Sequence, residues 1–135
     1  ISKALDIELI VYGRLPLMIT ENCLVQNETG CRLDRQGPCV PEDGPCRCGQ
    51  PNVLVDRTGA AFPLLPAYGH RTEIQNSKPL YLADRPEHRR LGLAYARLRF
   101  TTETAEECVS VVQNYLDAAP AAGDFTRGLY ERGVE

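Results

Sequence analysis

Five of the six cysteines, Cys23, Cys31, Cys39, Cys46 and Cys48, sit in a stretch too poor in apolar residues to pack on itself. Between them run Asn27-Glu28-Thr29-Gly30, Gln36-Gly37-Pro38 and Pro41-Glu42-Asp43-Gly44-Pro45. Gly and Pro set tight turns, and Asn and Asp bond their own backbone, so these segments read as loop. A loop of this length has nothing to offset its conformational entropy unless something ties it down. Thiolates converging on a metal ion or an iron–sulfur cluster would do so. Any fold for this chain must be built from the patterned segments on either side.

Compartment separates the ways of tying such a loop. No apolar run approaches the roughly 20 residues needed to cross a bilayer, and no signal-peptide pattern is visible. Secreted disulfide scaffolds are shorter and lack the long strand and helix patterns found here. The thiols therefore read as metal ligands in a cytoplasmic protein. A disulfide-tied or free-thiol loop is the bland alternative. Zinc is a further one, although Cys46-x-Cys48 is tighter than the usual zinc knuckle. The net charge of −3 supplies no basic footprint for nucleic acid. The length fits one domain. The chain opens at Ile1-Ser2-Lys3 without Met and closes at Val134-Glu135, so it reads as a segment of a longer protein.

Ser2 to Asp6 reads as the tail of a helix, and Ile7-Glu8-Leu9-Ile10-Val11-Tyr12 as a strand buried on both faces. Leu15-Pro16-Leu17-Met18-Ile19 is a second apolar run. Val53 to Arg57 and Ala61 to Leu65 read as a hairpin turned at Thr58-Gly59. Arg71 to Asn76 and Leu80 to Leu82 add short strands, and Ala94 to Phe100 a stronger one. A helix starts at Thr104, where Glu107 completes a capping box. Cys108, Val111, Val112, Tyr115 and Leu116 form its apolar stripe. Strand, long insertion, strand, helix predicts an α/β fold, a βα-barrel or a doubly wound sheet with a small β insertion. The expected boundaries are a strand region over 1–20, a Cys-rich loop with the β insertion over 21–82, strand plus helix over 94–120, and a tail over 121–135.

Val11-Tyr12-Gly13-Arg14-Leu15-Pro16-Leu17-Met18 resembles the peptidase U32 family, the collagenase-like proteases. The likeness continues through Glu21-Asn22-Cys23, Leu54 to Gly59, Phe62-Pro63 and Asn76-Ser77-Lys78-Pro79-Leu80. It returns at Phe100 to Glu103 and at Asp124-Phe125-Thr126-Arg127-Gly128. The resemblance implies the C-terminal part of a TIM-like barrel, a partial barrel segment whose upstream strands are supplied by the remainder of the parent chain or a partner subunit. It also implies either a peptidase or an enzyme of hydroxylation type that uses a [4Fe–4S] cluster on RNA or a small aromatic precursor. Cys23 and Cys31 match the first pair of cluster ligands, and Cys46 or Cys48 the third. Where the fourth cysteine should stand this sequence has His70. A histidine can replace a thiolate on iron, as in Rieske centres, or its presence can mark a chain without the cluster.

Among the other candidates, Arg14 closes the first apolar strand, where a guanidinium suits a substrate carboxylate or phosphate. A salt bridge to Glu21 or Asp56 is the structural alternative. Cys108 belongs to the helical stripe and reads as core, Cys39 as a spare thiol, and His88 as part of a solvated charged turn. No Ser/His/Asp set and no His-Glu-x-x-His helix is present, so the catalytic residues of a peptidase are not identifiable. A third function class is a non-catalytic module holding a structural metal. A barrel lacking the strand upstream of Ile7–Tyr12 would leave an open edge, so self-association is expected.

Overall fold

The computed structural model describes residues 6–29 and 50–129. In chain order the elements are β1 (Glu8–Gly13), β2 (Pro16–Thr20), α1 (Leu24–Thr29), β3 (Asn52–Val55), β4 (Ala61–Ala67), β5 (Arg71–Gln75), β6 (Leu80–Tyr81), a 3-10 helix (Pro86–Leu91), β7 (Tyr95–Arg99) and α2 (Ala105–Leu116). They fall in two compact units, Ile1–Arg14 with Lys78–Glu135, and Leu15–Ser77.

In the first unit β1 is the central strand, antiparallel to β6 and parallel to β7. It therefore has a neighbour on each side within the chain. Its register with β7 slips between Ile10 and Tyr12, leaving Val11 at a bulge. The Tyr115 hydroxyl of α2 donates to the Val11 carbonyl and accepts from the Leu82 N–H at 2.9 Å, pinning helix, bulge and strand end together. Tyr12, Tyr81, Ala83 and Val111 form the core, with Leu98, Phe100, Tyr115, Ala121 and Phe125 packed round it. Tyr12 meets Tyr81, Phe100 and Tyr115 at centroid distances of 5.6 to 6.5 Å, the range of favourable aromatic pairs. The capping box forms as its residues predict. Thr104 Oγ1 accepts from Glu107 N at 3.3 Å, and Glu107 Oε2 accepts from Thr104 N at 2.7 Å.

The second unit is a four-stranded antiparallel sheet in the order β2-β5-β4-β3. Leu64 and Ile74 face each other across β4 and β5 and are buried, as are Cys23, Val25, Thr72 and Gln75. The β3–β4 turn is held by Asp56. Its Oδ1 accepts from Thr58 N and Thr58 Oγ1 at 2.7 Å and from Ala60 N at 3.0 Å. Those bonds, the Thr58 hydroxyl first, hold the Asp56 carboxyl below the usual carboxylate range.

This architecture overturns the partial TIM-like barrel. The described residues form seven strands in two sheets, and α2 is the one substantial helix, so the fold is a small β-rich one. A βα-barrel needs a helix after each strand to bring the next one parallel. Here β3, β4 and β5 are joined by tight turns and run antiparallel. The apolar run at β1 was ambiguous, because the centre of a small mixed sheet asks for the same residues as a barrel strand. Only Val11 to Gly13 are buried, while Leu9 and Ile10 are half-buried and Glu8 is exposed. The helical stripe is also narrower than its spacing predicts. Val111 is buried, Cys108 and Tyr115 are half-buried, and Val112 and Leu116 stand 41% and 72% exposed.

Candidate functional site

The β2–β5 ladder organises the candidate metal site. Met18 pairs with Ile74, Ile19 with Glu73 and Thr20 with Thr72. One step further, Arg71 Nη2 meets Glu21 Oε2 at 3.0 Å. At Cys23 the chain turns into α1, with Gln26 N donating to the Cys23 carbonyl at 3.2 Å. The Leu24 N–H donates to Thr72 Oγ1 at 3.0 Å, which folds the start of α1 against β5. Cys23 thus lies buried beside the first residues of β5.

His70 closes the β4–β5 turn in a left-handed conformation, φ 58°, directly after Gly69 at φ 73°. Such a backbone is uncommon for a residue with a side chain, and His is among those that tolerate it. The turn leaves His70 half-buried just before β5.

Cys23 and His70 thus belong to the same unit, Cys23 just before α1 and His70 just before β5. Cys31, Cys39, Cys46 and Cys48 lie outside the described residues. Among the described residues no three or more His, Cys, Asp or Glu side chains converge as a metal site would require. Of the proposed ligands the described residues include Cys23, which is buried, and His70, which is half-buried, and sulfur with nitrogen suits iron or zinc.

Arg14 belongs to the other unit. It follows Gly13, whose φ of +119° and close approach to β7 exclude a side chain, since a Cβ there would stand 2.0 Å from the Arg99 carbonyl oxygen. Arg14 Nε donates to Thr102 Oγ1 at 3.3 Å, and its carbonyl accepts from Arg99 Nη1 at 3.0 Å. The expected salt-bridge partners are engaged elsewhere, Glu21 by Arg71 and Asp56 by its own turn.

Sequence reasoning missed three side chains. Arg127 holds Asp84 through two bonds of 2.6 and 2.7 Å, donates to the Tyr81 carbonyl and stacks 4.6 Å from the Phe125 ring centre. The Arg127 hydrogen bonds lower the Asp84 pKa. Tyr115, read only as part of a stripe, carries the hydroxyl that joins α2 to the sheet. His88, expected in a solvated turn, is 3% exposed. The 3-10 helix turns it inward from among charged neighbours, and a charge run carries no period that would reveal this. Only the resemblance motif at Asp124 to Gly128 drew attention to Arg127.

Compared with protein-family models, with curated proteins and with solved structures, the chain has no significant match. Among the described residues no helix is long and apolar enough to cross a membrane.

Proposed function

We propose that Leu15–Ser77 is a thiolate-based metal module and that it carries an iron–sulfur cluster within a cytoplasmic enzyme, or enzyme component, of hydroxylation type. What supports the reading is that Cys23, buried, and His70, which ends the β4–β5 turn, both belong to the Leu15–Ser77 unit, within which the cysteine-rich stretch of the sequence falls. The reaction class comes from the likeness to the collagenase-like peptidase family. Cys23, Cys31, Cys46 or Cys48, and His70 would hold the cluster. When bound, such a cluster supplies one-electron redox chemistry. The chain's own contribution is to fix and dry the position of Cys23. Val25 and Cys23 are both buried, and the Thr72 hydroxyl holds the backbone that follows Cys23. The Arg71–Glu21 pair adds little energy because both side chains are exposed, but it marks the register.

The test is iron and acid-labile sulfide per chain after anaerobic reconstitution of the whole chain. Wild type should hold both, Cys23→Ser should hold neither, and Cys108→Ser should match wild type. His70→Cys should retain the cluster and lower its potential, because a thiolate donates more negative charge than an imidazole. Zinc without sulfide would replace the cluster by a structural metal. Cys23 mapped into a disulfide in protein isolated under thiol-blocking conditions would overturn the reading.

A further inference from the structure

A cleft of about 390 Å³ opens on the first unit, lined by His88, Leu93, Ala94, Ala96, Leu98, Val112, Tyr115 and Leu116. That volume falls in the range of small-molecule pockets, roughly 300–1,000 Å³. Its walls are the aliphatic side chains of β7 and the preceding loop on one side and α2 on the other. The Tyr115 hydroxyl is spent on Val11 and Leu82, so that residue offers the cleft only its ring. Besides the Tyr115 phenol, His88 is the one ionisable side chain on the wall, it is 3% exposed, and its Nδ1 is buried with no hydrogen-bond partner. A buried polar atom left unsatisfied is costly and calls for a reason.

We infer that this cleft binds a small, mostly apolar molecule carrying one hydroxyl, with His88 as its polar anchor. A hydroxyl suits the site because it can donate to or accept from an imidazole, whichever nitrogen carries the proton. Nδ1 would reach a bound molecule through a turn of the ring about Cβ–Cγ, a broad torsion for histidine. The aliphatic walls take the rest of the ligand, and a charged group would find no opposite charge there. The site is independent of the cysteine segment, which belongs to the other unit.

The probe is 1-naphthol, with 1-methylnaphthalene as its hydroxyl-free counterpart, titrated into the whole wild-type chain. Methyl NMR signals of Ala94, Ala96, Val112 and Leu116 should move with naphthol, while those of Val53 and Val55 stay fixed. Naphthol should bind about tenfold more tightly than methylnaphthalene, the size of one hydrogen bond to an otherwise unpaired buried group. His88→Leu should erase that preference and keep hydrocarbon binding. Equal affinity of wild type for the two probes, or no shift of the four methyl groups, would overturn the inference without need of any variant. Movement of the same methyl groups with protein concentration alone would also overturn it, assigning the face to a second copy of the chain.

Discussion

Tyr115→Phe removes one oxygen and leaves the ring, which makes it a clean probe of how α2 is fastened to its sheet. The lost hydroxyl donates to the Val11 carbonyl at the β1 bulge and accepts from the Leu82 N–H just beyond β6. Val11 is 0% exposed and Leu82 2%, so water cannot replace the missing oxygen. Each lost hydrogen bond is worth about 0.5–1.5 kcal/mol net, rising to about 1–3 when the partner stays buried and unsatisfied. Two orphaned backbone groups thus predict a loss of about 2–4 kcal/mol with little change in packing. For a chain of this size that lowers the Tm by about 10 °C. Burial holds the phenol pKa well above its ordinary value, consistent with a hydroxyl that must keep its proton to donate. Urea and thermal unfolding followed by near-ultraviolet circular dichroism would measure the loss, with Tyr95→Phe at an exposed position as the control. A Tyr115→Phe protein within about 0.5 kcal/mol of wild type would refute the fastening.

Burial raises the phenol pKa values of Tyr81 and Tyr115 and, with Glu103 adding its charge, pushes that of Tyr12 up to about 12. The folded state then keeps protons that the unfolded state releases near pH 10, so stability should be complete below pH 10 and fall as pH rises toward 12, read by tyrosinate absorbance alongside circular dichroism. Gly13→Ala drives a methyl group into the Arg99 carbonyl and should cost more than about 4 kcal/mol, seen as failure to fold or a collapsed denaturation midpoint. Val111→Asp buries an unpaired charge and should destabilise far more than Val112→Asp at its half-open position, with equal denaturation midpoints showing the helix to be rotated from the arrangement described. Thr72→Val removes the acceptor of the Leu24 N–H, so it should cost about 1–2 kcal/mol, read as a lower denaturation midpoint in urea.

The capping box at Thr104 and the turn at Thr58-Gly59 were legible because each is a local device written in adjacent residues, whereas Asp56, read as strand, proved to hold that turn. Strand positions were legible for the same reason, from β-branched runs and the turns between them. Strand partners were not. The Ile7–Tyr12 pattern is compatible with a parallel barrel or a mixed sheet, and the choice depends on contacts with residues near 80 and 95. The inward turn of His88 depends on the 3-10 helix that carries it, and the Tyr115 hydroxyl finds its acceptor at a bulge no pattern announces. Hydrophobic spacing told which side of α2 is apolar but not how much of that arc the small sheet covers, so Val112 and Leu116 were placed too deep.

The same division between local and distant information governs the cysteine segment. Its composition says that the loop lacks a core, a local fact. Which residue outside the loop could join its thiols is a question of strand register. Closing a chain from Thr20 to Thr72 costs loop entropy that grows only logarithmically, about 0.6 kcal/mol for each doubling of length. The ladder can therefore form at modest extra cost whatever lies between its strands. A slip of one residue would turn the side chains of β5 to the opposite faces and expose the buried Thr72 and Ile74. The buried Thr72, bonded to both Thr20 and Leu24, opposes such a slip. The β2–β5 pairing is thus fixed by a threonine, through bonds that the spacing of cysteines alone could not reveal.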